Sequence, residues 1–141
     1  MLYKKVACCT DFSENSNAAF KSALEICKTF KAKLYIIHAI PPMINPMLTE
    51  IEIPLESKQS LLLKIEEQMQ AQYGEKIEGI EYEFVVLDGH VSTEIVNYLK
   101  EKKIDLVVVG SFGLSGMELV LFGSVAKRIA HKAPCSVTIV R

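Results

Sequence analysis

Short apolar runs of strand length alternate along this chain with longer stretches whose apolar residues recur at helical spacing. Val6 to Cys9 reads as a first strand. Ser13 to Phe30 follows as a helix, with Phe20, Ala23, Leu24 and Cys27 on one side and Asp11 and Ser13 as capping candidates. Leu34 to Ile40 is apolar almost throughout, which suits a strand buried on both faces of a parallel sheet. Pro41 to Pro54 carries four of the five prolines and reads as a loop. Leu55 to Tyr73 predicts a second helix that turns Leu62, Ile65, Met69 and Tyr73 inward. Tyr82 to Leu87 is a third strand, and Val91 to Lys102 a third helix with Val91, Ile95, Tyr98 and Leu99 inward. Leu106 to Val109 is a fourth strand ending at Gly110. A glycine-containing loop runs to Gly123, a fourth helix from Ser124 to Lys132, and a fifth strand from Ser136 to Val140. Strands that alternate with helices are joined by right-handed crossovers, so the pattern predicts one doubly wound α/β domain with helices on both faces. The chain has 141 residues, the size of one domain, with no internal repeat, linker or low-complexity tract.

Charge narrows the partners. Sixteen basic residues face seventeen acidic ones, so no basic excess awaits a phosphodiester backbone, and nucleic acid is not expected. No apolar run approaches the roughly 18 residues of a membrane-spanning helix. Met1 to Lys5 leads directly into the first strand without the apolar stretch and small-residue cleavage site of a secretory leader, so a cytoplasmic protein is expected. The cysteines are Cys8, Cys9, Cys27 and Cys135, and none form a CxxC pair. His38, His90 and His131 are scattered, which gives no zinc pattern. The thiols are expected to be reduced space-fillers, with Cys8 and Cys9 pointing to opposite faces of their strand.

In a doubly wound sheet the ligand crevice lies beyond the C-terminal ends of the strands, where strand order reverses. Thr10 and Asp11, Ala39 and Ile40, and the residues from Gly110 onward occupy those ends. Gly110-Ser111-Phe112-Gly113 is followed by nine residues and then Gly123-Ser124. Glycine lets backbone N–H groups approach an anion, and Gly123-Ser124 stands just before a helix whose first N–H groups and dipole favour phosphate. No glycine-lysine pair follows, so this is not a P-loop, nor is it GxGxxG. On position and composition alone, a flexible loop with a glycine turn and a serine cap is an equal reading. Asp11 is either a ligand-side acid or only a cap. His38 reads as a hydrogen-bonded strand histidine, and His90 as an exposed residue with no assigned role. Met43 and Met47 are either lid residues or part of a surface loop.

The spacing G-x2-G-x9-G-[ST] after a fourth strand, here Gly110, Gly113, Gly123 and Ser124, resembles the loop of ATP-binding universal stress proteins. The likeness extends from Val6 through the Thr10-Asp11-Phe12-Ser13 turn to Tyr35–Ile40, Asp105–Gly110 and Gly123–Arg141. It implies an adenine nucleotide alpha hydrolase-like sheet with strand order 3-2-1-4-5. It further implies that Asp11 lies near ribose and adenine, that the backbone at Ala39 meets the adenine edge, and that Val109 and Gly110 flank base and ribose. Gly113, Gly123, Ser124 and the Val125 N–H would surround the phosphates. The implied cofactor is ATP or a related adenine nucleotide, with Mg²⁺ accompanying a triphosphate. The implied assembly is a homodimer through the last strand, whose Val137, Ile139 and Val140 would otherwise leave an apolar edge. The commonest form of the loop reads G-x-H-G-R, whereas this chain has Phe112 and Leu114 there and no cation between Gly110 and Glu118. Lys127 and Arg128, one turn into the fourth helix, are the candidates to compensate.

Three functions follow. The first is a nucleotide-responsive regulator read by an unidentified protein partner. The second is a slow ATPase or phosphotransferase, which needs a water-positioning group that only Asp11 could supply. The third is a dimeric interaction protein without nucleotide, against which the intact glycines argue.

Overall fold

The structure, a computed structural model, describes residues 3–40, 55–111 and 123–141. Its strands are β1 (Lys5–Cys9), β2 (Lys33–Ile40), β3 (Tyr82–Asp88), β4 (Leu106–Gly110) and β5 (Ser136–Val140). Its helices are α1 (Glu14–Phe30), α2 (Leu55–Gln72), α3 (Val91–Glu101) and α4 (Ser124–Lys132), and a single 3₁₀ turn at Gly74–Lys76 follows α2. The five strands form one parallel sheet in the order β3-β2-β1-β4-β5. The expected architecture and strand order are therefore observed.

Side-chain alternation in the strands divides the core into two layers. Val6, Cys8, Leu34, Ile36, Leu106 and Val108 face α1 and α2, where they meet Ala19, Phe20, Ala23, Cys27, Ile65, Met69 and Tyr73. Ala7, Tyr35, Ile37, Ala39, Val107 and Val109 face α3 and α4, against Ile95, Tyr98, Leu99, Ala126 and Ile129. Cys8 belongs to the first layer and Cys9 packs against the second, as the strand period requires. All four thiols are free.

Helix α2 departs from the expectation in one detail. Leu62 is 36% exposed and Leu63 60%, while Leu61 packs against the core with Ile65 and Met69. The buried stripe thus runs at i, i+4 through positions 61, 65, 69 and 73, rather than stepping three residues from Leu62.

Glycine at position 110 has a steric cause. A Cβ there would lie 2.8 Å from the Asn15 carbonyl oxygen and 2.9 Å from its carbon, so the first turn of α1 rests directly on the end of β4. Real Cβ atoms do not approach backbone that closely, and helix and strand must separate to admit one.

Two predictions follow. Gly110→Ala should destabilise the domain by about 1–3 kcal/mol through this overpacking, read as a lower urea midpoint. The second concerns alkali. Burial raises the thiols of Cys9 and Cys27 from 9.0 to about 12 and that of Cys8 well above its ordinary value, and raises the Tyr73 and Tyr98 hydroxyls from 10.0 to about 12. Each group is neutral in the folded state over a range where the unfolded chain ionises. Stability is therefore full below about pH 9 and lost as the pH climbs towards about 12. Urea midpoints measured at pH 7, 9 and 10.5 should fall at the last, and a flat profile would contradict the burial of these groups.

Candidate functional site

Strand order reverses between β1 and β4, since β1 leads outward to β2 and β3 while β4 leads to β5. The residues singled out by sequence cluster at the C-terminal ends of these strands. Thr10 N–H donates to the Ile37 carbonyl at 2.8 Å, which ties the end of β1 to β2 beside Ala39. Gly110 abuts Asn15 of α1. Ser111 N–H donates to the Val140 carbonyl at 2.8 Å, and Gly123 N–H donates to the Ser111 carbonyl at 2.5 Å, which brings the start of α4 against the end of β4. Val109 is buried in the α3/α4 layer, and Val125 packs its side chain against the same layer. Gly113, Phe112, Leu114, Met43 and Met47 lie outside the described residues.

The turn after β1 is built by short side chains bonding to local backbone. Ser13 caps α1 by accepting from Ser16 N–H. Asp11 Oδ1 accepts from Ser13 N–H at 3.0 Å and from the Ser16 hydroxyl at 2.5 Å, and Ser16 Oγ accepts from Asp11 N–H at 3.0 Å. Asp11 therefore shapes the turn while Ser13 is the cap proper. Phe12 stands at φ 67°, a left-handed conformation that costs a bulky residue of order 1–3 kcal/mol unless its surroundings hold it. They do so here. Thr10 Oγ1 accepts from Phe12 N–H at 2.9 Å, and the Phe12 ring lies 4.7 Å from His38 and 6.3 Å from Tyr73, centroid to centroid.

Thr10 is also the end of a buried chain of hydrogen bonds. Tyr73 OH donates to Asn17 Oδ1 at 3.1 Å, and Gln72 Nε2 donates to the same oxygen at 2.7 Å. With its proton committed to Asn17, the Tyr73 hydroxyl accepts from Thr10 Oγ1, 2.5 Å away. Burial pushes the Tyr73 hydroxyl up to about 12, against the lowering effect of the Thr10 bond. His38 Nδ1 lies 2.8 Å from the Thr10 carbonyl, so the histidine is the hydrogen-bonded strand residue its position predicts. The hydroxyl and carbonyl of Thr10 are both engaged, which holds the turn.

Among the described residues, the N-terminus of α4 meets no side-chain cap. Gly123 takes φ −62° and ψ 155°, which any residue adopts, so conformation does not require glycine there. It offers no side-chain cap, and the first turn contains no acidic residue. The N–H groups of Ser124, Val125 and Ala126 have no i−4 carbonyl, as in any first helical turn. Lys127 and Arg128 add positive charge next to the positive end of the helix dipole, where cations are unfavourable unless an anion joins them. Ser111 Oγ, fully buried beside this end, has no hydrogen-bond partner among the described residues. A buried hydroxyl without a partner is uncommon and costly. First-turn N–H groups, the charge of Lys127 and Arg128 and, among the described residues, a Ser111 hydroxyl without a partner together suit an anion with several acceptor oxygens.

The sequence left two features here unread. One is Tyr73, sixty-three residues from Thr10 in the chain. The other is the contact of Arg128 Nη1 with His90 Nε2 at 3.0 Å, which joins α4 to the start of α3.

Comparison with known proteins matches residues 2–141 to the universal stress protein family. Universal stress protein MJ0531 of Methanocaldococcus jannaschii is 36% identical over 99% of this chain and 83% of its own length. The solved structure of MJ0577, a universal stress protein of the same organism, superposes with TM-score 0.80 at 25% identity, covering 99% of this chain and 96% of that one. A universal stress protein solved in complex with cAMP superposes with TM-score 0.66 at 27% identity, covering 100% of this chain and 98% of that one.

The Thr10 network generates a stability prediction. Thr10→Val removes the acceptor for Phe12 N–H and the donor to Tyr73, and should cost roughly 1–3 kcal/mol. Tyr73→Phe deletes one hydroxyl and should cost less, about 1 kcal/mol. In a double-mutant cycle the two losses should sum to more than the double variant shows, because both remove the same bond.

Proposed function

The chain belongs to the universal stress protein family, and we propose that within it this chain is an adenine-nucleotide-binding member that works as a dimeric regulatory or stress-response protein in the cytoplasm. The observation that carries the reading is the open N-terminus of α4 beside the buried, unpartnered Ser111 hydroxyl, at the point where strand order reverses. The cAMP complex of the relative with 27% identity supports an adenine nucleotide as the anion. In this reading the N–H groups of Ser124 and Val125, with Gly113 and Gly123, hold the phosphates. Val109 and Gly110 flank base and ribose, Asp11 meets the ribose, and the backbone at Ala39 meets the adenine edge. Thr10 backs the turn that presents Asp11. Among the described residues no three His, Cys, Asp or Glu side chains gather to hold a metal, so Mg²⁺ would arrive on a triphosphate and stay with its oxygens.

Strand β5 supports the dimer. Among the described residues it pairs with β4 alone, and Val137, Ile139 and Val140 remain half-buried at that edge. A second copy pairing along it would cover them.

Two measurements test the nucleotide. Purified protein is denatured and the released small molecules are identified by ultraviolet absorbance and mass. Thermal unfolding is then followed with ATP, ADP, AMP and cAMP. A nucleotide at a hundred times its Kd should add about 2.7 kcal/mol, a Tm rise of several degrees. Gly123→Val, which places a side chain over the open N–H groups, should keep the fold by circular dichroism and lose the shift. An empty site with no shift for any of the four would overturn the reading. Phosphate released in excess of protein and abolished in Gly123→Val would instead assign a hydrolase.

A further inference from the structure

The Gly110–Glu118 stretch has no cation, yet a polyphosphate normally meets one. We propose that Arg128 is the cation of this site, and that its contact with His90 is a resting position which it leaves when the distal phosphates of a nucleoside triphosphate arrive. The proposal rests on the nucleotide reading above and concerns what selects among nucleotides.

Four observations carry it. First, Arg128 stands four residues after Ser124 on α4, so the two share one helix face, with Cβ atoms about 5–6 Å apart. Helical side chains lean towards the N-terminus, which directs Arg128 at the open first turn. Second, arginine only donates, so in this contact His90 Nε2 is the acceptor and Nδ1 is the nitrogen left to donate. That nitrogen lies 3.0 Å from Thr93 Oγ1 and 3.4 Å from Ser92 Oγ. Third, the resting partner is weak. A guanidinium on a neutral imidazole makes one bond, whereas phosphate offers two charge-assisted bonds in parallel. Both His90 and Arg128 are exposed, so the exchange requires no repacking.

Fourth, among the described residues Arg128 has no carboxylate to leave. Among the described residues the ion pair present is Lys33 with Glu81, far from this face in the fold. Glu94, in the first turn of α3, lies beside Gly89 instead. His90 is the N-cap residue of α3 and makes no side-chain cap bond, so the guanidinium rests near the starts of two helices. Both starts are positive ends of helix dipoles, and an anion placed between them would relieve the repulsion.

Lys127 is the natural control. It is exposed on the same helix, carries the same charge and stands three residues after Ser124, so it tests whether the His90-held position singles out Arg128 among two cations near the first turn.

The test is isothermal titration of the full chain with ATP, ADP and AMP. Arg128→Gln should weaken ATP about tenfold, ADP less, and AMP hardly at all, because only the distal phosphates reach the guanidinium. Arg128→Lys should recover part of the ATP affinity, and Lys127→Gln should change ATP less than threefold. His90→Ala removes the resting partner and should tighten ATP while leaving the ATP-to-AMP ratio at least as large as in the parent. Equal losses for ATP and AMP in Arg128→Gln, or a Lys127→Gln loss matching that of Arg128→Gln, would overturn the proposal. In either case the nucleotide reading would stand, because the parent still binds. A parent chain that binds none of the three would remove both.

Discussion

The contact on which the site depends is the approach of α1 to the end of β4. Strands β1 and β4 pair in the middle of the sheet, Val6 with Leu106 and Cys8 with Val108, and from there the chain departs in opposite directions. Two parallel neighbours whose connections leave on different faces open a gap above their C-terminal ends. The gap closes only as far as the residue at the end of β4 permits. With hydrogen at that position, the first turn of α1 settles onto β4.

Around that contact the sequence divides its work. Apolar residues of alternating direction make the sheet, and short polar residues make its upper rim. Thr10, Asp11, Ser13 and Ser16 bond to one another and to the local backbone, which makes an irregular turn with Phe12 in a left-handed conformation. On the opposite side of the gap the polar groups are left open, at Ser111 and the first turn of α4. One wall of the crevice bonds largely to itself, and the other leaves its polar groups without partners among the described residues. That asymmetry separates scaffold from binding surface more clearly than residue type does.

Much of this was legible in the chain. Continuous apolarity in Leu34–Ile40 and Leu106–Val109 announced buried parallel strands, and Ser13 announced the start of α1, because both signals are local. The stripe on α2 was read with Leu62 in place of Leu61, since Leu61, Leu62 and Leu63 are adjacent and only the packed sheet decides which one faces it. The 3₁₀ turn at Gly74–Lys76 has no periodicity to reveal it. The bonds of Tyr73 to Thr10 and of Arg128 to His90 join residues that become neighbours only after crossovers are complete. The spacing of Gly110 points to an anion, whereas its immediate neighbour in the fold is protein backbone.

That last difference has an evolutionary reading. A glycine required for helix docking persists whether or not a guest molecule is ever held, because replacing it disturbs folding first. In a descendant that abandoned its ligand, position 110 would therefore be among the last to change, while position 123, where backbone geometry tolerates any side chain, would be free to drift. Of these two glycines of the signature, it is the second whose loss would record a change of trade.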